Sequence, residues 1–84
     1  MGANFTHMET LNSQIAAAVK TAIQSEGSSR SKVLAATGMA GSTFDRSILG
    51  GRPFTGPELI AIADHLGISA SQFLPGVHAG RQAA

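Results

Sequence analysis

The segment TGMAGSTFDR, Thr37 to Arg46, holds the side chains best suited to recognising a partner. Ser42 and Thr43 contribute hydroxyl groups, and Asp45 and Arg46 place a carboxylate beside a guanidinium. These groups donate and accept hydrogen bonds, so a helix that turned them outward would present them to solvent or to a partner.

Histidines, which are common in catalytic and metal sites, are scattered along this chain. His7, His65 and His78 have no second ligand three or four residues away, and Asp64 and His65 would diverge by about 100° on a helix. The chain contains no cysteine, which excludes disulfides, thiol nucleophiles and cysteine-ligated zinc. We therefore expect no enzyme activity, no metal and no cofactor, with His65 exposed.

The chain has 84 residues, enough for one domain with a modest core. No apolar run approaches the roughly 20 residues that span a bilayer, and the N-terminus lacks the layout of a secretory signal. These features predict a cytoplasmic protein without a membrane partner.

Charge is distributed unevenly along the chain. Residues 29–52 contain Arg30, Lys32, Arg46 and Arg52 against Asp45 alone, whereas the remainder has two basic and four acidic residues. Such asymmetry indicates a polyanionic partner, although four cations on a solvated face are the alternative interpretation.

The first predicted helix covers residues near 7–26. Thr6 and Glu9 have capping-box spacing at its start, and Gly27 suits a left-handed end. Apolar residues at steps of three and four define its inner face: Met8, Leu11, Ile15, Val19, Ala22 and Ile23.

Two short helices follow, separated by a turn of about four residues. The first begins at Ser28 or Ser29 and is broken by Gly38, where a positive φ allows the sharp change of direction. The second covers residues 41–49 if Phe44 and Ile48 share its inner face. That register turns Ser42 and Arg46 outward, with Thr43 and Asp45 at the flanks.

The remaining predicted elements are also helical. Thr55 and Glu58 form a second capping-box pattern, and Gly67 ends the helix whose apolar face is Leu59, Ile62, Ala63 and Leu66. Ser69 and Gln72 start a last short helix that carries Phe73 and Leu74 and closes at Pro75-Gly76.

The ends of the chain are expected to contribute little. One domain spans residues 1–76, and residues 77–84 lack periodicity, which predicts a flexible tail. Because His-Met is a common cloning junction, residues 1–7 are as readily explained by an expression vector as by the native gene, with Met8 then the natural start.

The span from Ser29 to Leu74 resembles the Cro and repressor-type helix-turn-helix domains of phages and bacteria, the lambda-repressor-like fold. The resemblance is carried by Gly38 at the turn, Met39 after it, Phe44, and the run GGRPFTGPELIAIADHLGIS. With the preceding helix it implies an all-α fold of five helices.

The resemblance implies that the helix at 41–49 lies in the major groove of DNA while the preceding helix crosses the backbone. Arg46 would then contact guanine, Asp45 would accept from a cytosine amine, and Thr43 or Ala40 would offer a methyl group to thymine. Gly41 allows close approach to the groove, and Ser42 serves a base or a phosphate. The expected backbone contacts are Ser29, Arg30, Lys32 and Arg52.

Three positions depart from the family pattern. Leu34 replaces a small residue where the two helices touch, which predicts a wider crossing. Ala40 replaces the usual serine or threonine cap, and Ser47 stands where an apolar residue is preferred. The start of the helix at 41–49 then depends on Ser42 or on a phosphate, and its packing on Ile48.

The sequence therefore predicts a DNA-binding transcriptional regulator without an attached effector or protease domain. It would bind a pseudo-palindromic operator as a homodimer, through the last helix around Phe73 and Leu74 or through the first helix. The alternative is a protein-interaction module, such as an antitoxin or an accessory factor.

Overall fold

The structure, a computed structural model, describes residues 7–75, with side chains from residue 11 onward. These residues form four α-helices and one 3-10 helix, and none of them lies in a strand. The elements are α1 (His7–Ser25), α2 (Arg30–Thr37), α3 (Gly41–Ile48), α4 (Gly56–Leu66) and the 3-10 helix (Ala70–Phe73).

Helix α1 follows the predicted periodicity. Val19 and Ile23 are buried, whereas Leu11, near the start of the helix, is 37% exposed. Gly27, at φ +72°, ends the helix in the left-handed conformation, and the Ser28 amide donates to the Ile23 carbonyl over 2.9 Å. The predicted cap at Thr6 and Glu9 and the placement of Met8 lie outside the side chains described.

Helix α2 and the turn after it are fixed by local hydrogen bonds. The Ser29 hydroxyl accepts from the Lys32 amide, so Ser29 is the N-cap. Gly38 adopts φ +76° and donates its amide to the Leu34 carbonyl over 2.9 Å. The Thr37 hydroxyl accepts from the Met39 amide over 3.2 Å, which ties the turn to the end of α2.

Helix α4 begins with the predicted capping box. The Thr55 hydroxyl accepts from the Glu58 amide, and the Glu58 carboxylate accepts from the Thr55 amide. The predicted apolar face is buried, and Gly67 ends the helix at φ +74°.

The last helix is a 3-10 turn rather than the fifth α-helix expected. Only four residues separate the Ser69 cap from Leu74, which is extended at φ −101° and ψ 112°. Leu74 precedes Pro75, and a residue before proline is sterically driven away from the α conformation. A short 3-10 turn is what fits in that space.

The core lies where the helices meet. Helix α1 packs against α3, α2 packs against α4, and the 3-10 helix contacts α1 and α4. Phe44 of α3 lies edge-on to Phe54 with ring centroids 6.1 Å apart. The buried apolar cluster consists of Val19, Ile23, Val33, Phe44, Leu59, Ile62, Ala63, Leu66 and Phe73. No described helix combines the length and hydropathy needed to cross a bilayer.

Candidate nucleic-acid interface

The rotation of α3 agrees with the predicted register. Phe44 and Ser47 are buried, at 3% and 1% exposure, while Ser42 and Arg46 are exposed on the opposite side. Thr43 is half-buried at the flank. The outward face of α3 therefore presents a hydroxyl and a guanidinium one helical turn apart.

The start of α3 has no side-chain cap. Ala40 is the N-cap residue, and the first backbone bond of the helix runs from the Phe44 amide to the Ala40 carbonyl over 3.0 Å. The amides of residues 41–43 precede any intrahelical acceptor. This end of α3 thus retains free donors and the positive end of the helix dipole.

A bidentate ion pair joins the start of α2 to the middle of α3. Arg30 donates from Nε to Asp45 Oδ1 over 2.8 Å and from Nη2 to Oδ2 over 3.0 Å. The side chains remain 55% and 48% exposed. The hydrogen bond from Arg30 lowers the pKa of Asp45, and the same bond raises the pKa of Arg30. Both carboxylate oxygens of Asp45 are thus engaged within the chain.

Gly41 makes room for this pair. A Cβ atom added at Gly41 would lie 2.7 Å from Arg30 Nη2 and 3.7 Å from Leu34 Cδ1. The Arg30 guanidinium therefore occupies the space into which a side chain at residue 41 would project. Leu34 packs at ordinary van der Waals distance beside it.

A second bidentate pair lies deeper, between the turn after α3 and the start of α4. Arg52 donates to Glu58 over 3.0 and 3.1 Å and to the buried Ser47 hydroxyl over 2.7 Å. Only 25% and 20% of the Arg52 and Glu58 side chains are exposed. The bond from Arg52 lowers the pKa of Glu58, and the Thr55 amide adds to that effect. Arg52 is thus held inward, in contrast to the rim position predicted for it.

Three other predicted contacts, Ser29, Lys32 and Arg46, lie on the surface. Lys32 and Arg46 are exposed and form no ion pair among residues 11–75. The Ser29 hydroxyl is used as the α2 cap, although the residue is exposed. Of the cations in residues 29–52, two are therefore paired within the chain and two are free to meet a polyanion.

The prediction that His65 is exposed was wrong. His65 is half-buried, and its Nε2 lies 2.7 Å from the Ser28 hydroxyl, which links α4 to the loop before α2. The periodicity of α4 alone gives no sign of this contact, because Ser28 is 37 residues away. His7 and His78 lie outside the side chains described.

The predicted dimer surface also changes. Phe73 is only 1% exposed and belongs to the core, so it is not available to a second copy. The exposed large apolar side chains among residues 11–75 are Leu11, Leu49, Ile60 and Leu74.

The search of protein-family models, of curated proteins and of solved structures gave no match for this chain. Its function is therefore inferred from the geometry of the α2–turn–α3 surface.

Proposed function

We propose that this chain is a sequence-specific DNA-binding transcriptional regulator of the lambda-repressor-like helix-turn-helix type. The observation that carries the proposal is the outward face of α3, where uncapped amides, the Ser42 hydroxyl and the free Arg46 guanidinium stand together. Helix α3 enters the major groove, and α2 lies across the sugar-phosphate backbone.

The face of α3 offers groups that read base edges. Arg46 has no ion pair with another described residue, so its planar guanidinium is available for the O6 and N7 acceptors of guanine. Thr43, at the flank of α3, presents its methyl group to thymine. Ala40 offers the alternative methyl contact. Ser42 contacts a base or a phosphate.

Phosphate contacts come from the start of α2 and from the start of α3. Lys32 is exposed on α2 as a point charge, and the uncapped amides of residues 41–43, at the positive end of α3, donate to the oxygens of a phosphate. Ser29 is exposed at the start of α2, whereas Arg52 is held inward by Glu58 and Ser47 and is not one of these contacts. These contacts fix the register of the protein on the duplex without reading sequence.

One such domain contacts few base pairs, so the protein acts as a homodimer on a pseudo-palindromic operator, with half-sites about one helical turn apart. Leu74 lies at the C-terminal edge of the described chain and is 37% exposed. Leu11 of α1 is equally exposed. Because Phe73 is buried, Leu74 and Leu11 are the residues that mark the two predicted dimer surfaces.

The alternative function, a protein-interaction module, is favoured by a single feature. Leu49, at the end of α3, is 81% exposed, and a protein partner at this surface would cover its apolar side chain. In the DNA proposal the same side chain packs against the wall of the groove.

Electrophoretic retardation with random duplex DNA tests the proposal. We expect binding at about 50 mM salt that weakens steeply toward 200 mM, because phosphate contacts release counterions. Selection from a random library should then return a pseudo-palindromic motif. An absence of retardation at the lower salt concentration would contradict DNA binding and favour the protein-interaction alternative.

The Arg46→Ala variant locates the reading face. Replacement should cost about 1 to 3 kcal/mol on the selected site and much less on random DNA. Lys32→Ala is the contrasting variant, since loss of a phosphate contact should weaken both kinds of DNA alike and reduce the salt slope by about one unit.

A further inference from the structure

We infer that Arg30, although it belongs to α2, reads a guanine at the head of α3, and that Asp45 positions it for that contact. This inference rests on the proposed function, with α3 in the major groove. It replaces the phosphate contact predicted for Arg30 and the cytosine contact predicted for Asp45.

The Arg30 N–H donors that are not bonded to Asp45 are the ones needed to contact a guanine. Arginine has five N–H donors in one plane, and Asp45 takes those of Nε and one of Nη2. The two donors of Nη1 and the second of Nη2 remain, and no described residue accepts from them within hydrogen-bond distance. This end-on fork matches the N7 and O6 acceptors that guanine presents in the major groove.

The location of the fork follows from Gly41. Residue 41 is the first of α3, and its missing side chain is replaced in space by the Arg30 guanidinium, with Nη2 2.7 Å from the point where a Cβ would stand. A reading position at the start of the recognition helix is thus filled by a side chain from another helix. The guanidinium stays accessible there, with 55% of the side chain exposed.

The role of Asp45 follows from its charge. A carboxylate at a DNA surface is repelled by phosphates unless it accepts from a base or holds a cation. Both oxygens of Asp45 already accept from Arg30, so the pair carries no net charge and the guanidinium is held in one orientation. An arginine that is fixed before binding loses less side-chain freedom when it meets the base.

Three variants test this assignment on operators selected with the wild-type protein. Arg30→Lys keeps the charge but removes the fork. Gly41→Ala adds a methyl group that displaces Nη2, and since Nη2 is the end of a flexible side chain, the fold accommodates it. Asp45→Asn removes the carboxylate that orients Arg30.

The glycine and aspartate variants each have a matched control. For Gly41→Ala the control is Gly56→Ala at the start of α4, because a Cβ at that glycine meets nothing within 4 Å. For Asp45→Asn it is Asp64→Asn, an exposed carboxylate outside this surface. Thermal unfolding of every variant establishes that the domain is folded at the temperature of the binding measurement.

We expect Arg30→Lys and Gly41→Ala to lose the preference for guanine at one position of each half-site by roughly 5- to 150-fold, the discrimination of a bidentate arginine–guanine contact. Asp45→Asn should relax the same position, and Arg46→Ala a different one. The two controls should retain the full motif.

The opposite outcomes are equally distinct. If Arg30→Lys and Gly41→Ala select the wild-type motif with every position equally strict, Arg30 is a phosphate contact and the inference is overturned while the proposed function stands. If Asp45→Asn alone loses a cytosine, Asp45 itself reads the base, which also overturns the inference. If the wild-type protein retards no duplex, the proposed function fails first.

Discussion

Arg30–Asp45 and Arg52–Glu58 are both bidentate pairs of a guanidinium and a carboxylate, and each joins two segments around α3. The outer pair, Arg30–Asp45, is about half exposed and makes no further hydrogen bond to a described side chain. The inner pair, Arg52–Glu58, is mostly buried, satisfies the hydroxyl of Ser47 and includes a residue of the α4 capping box.

The two pairs differ in the hydrogen bonds that each arginine makes and in how exposed its side chain is. The inner arginine donates from Nη1 and Nη2 to Glu58 and Ser47, so its loss removes the hydrogen bonds that link Ser47 of α3 to the start of α4. The outer arginine keeps donors directed to solvent, and an exposed pair contributes little to stability because water screens it. The same chemistry thus supports the fold in one place and, in the function proposed, recognition in the other.

The largest expected effect comes from Phe44→Ala, since α3 carries Asp45 of the outer pair and Ser47, which accepts from Arg52 of the inner pair, and Phe44 anchors that helix in the core. The substitution should lower the free energy of unfolding by about 3 to 5 kcal/mol, enough to unfold much of a domain this small. Urea unfolding followed by circular dichroism measures the loss. Leu49→Ala, at the C-cap of α3 and 81% exposed, is the control that should leave stability nearly unchanged.

The inner pair is tested next by Ser47→Ala. Removal of the hydroxyl leaves Arg52 Nη1 with Glu58 as its remaining acceptor, so we expect a loss of about 1 kcal/mol, typical of one hydrogen bond. The operator preference of the folded variant should be unchanged. A shift in base preference would mean that Arg52 contacts DNA and that the two pairs do not differ in role.

The response to acid tests the contribution of the inner pair. The pKa of Glu58 in the folded chain lies below its ordinary value of 4.5, because Arg52 and the Thr55 amide favour the ionised form. The folded state therefore binds fewer protons than the unfolded state in that range, and the resulting stability is present above pH 4.5 and lost as pH falls through the lowered pKa.

Thermal unfolding between pH 6 and pH 3 measures this dependence. Glu58→Gln, which keeps the capping-box geometry, should be less stable than the wild type at pH 6 and should lose less stability on acidification. A parallel pH dependence in the two proteins would show that the inner pair contributes nothing to stability.

The smallest effect on stability is expected from the outer pair. Asp45→Asn should unfold within experimental error of the wild-type temperature, because the pair is exposed and screened. Differential scanning calorimetry at low and high salt provides the measurement. A marked destabilisation at both salt concentrations would assign the outer pair to the fold and remove the contrast between the two.

Local patterns predicted most of the helices. The caps at Ser29 and Thr55 and the glycine ends at Gly38 and Gly67 depend on residues within a few positions, and each was confirmed. The burial of Phe44 followed from its spacing to Ile48 on one helical face. These features are visible in sequence because the interactions that produce them span one helical turn.

The contacts that the sequence did not indicate join residues that are farther apart. Arg30 and Asp45 are 15 positions apart, and their pairing depends on how the turn at Gly38 aims α3 relative to α2. Ser47 departs from the apolar pattern of the family, and its burial is explained by the hydrogen bond that Arg52 donates to its hydroxyl. Periodicity describes the faces of single helices and does not specify the partner that a face will meet.

The position of the Arg30 guanidinium beside Gly41 has a consequence for engineering. Recognition helices are often treated as transferable cassettes, in which the residues of one helix encode the whole preference of the donor protein. In this domain, if Arg30 reads a guanine as inferred, one base contact comes from α2. The Arg30 guanidinium makes that contact from the space beside Gly41 where a side chain would otherwise lie. A graft of α3 alone would therefore carry an incomplete code, and a faithful transfer requires α2, the turn and α3 together.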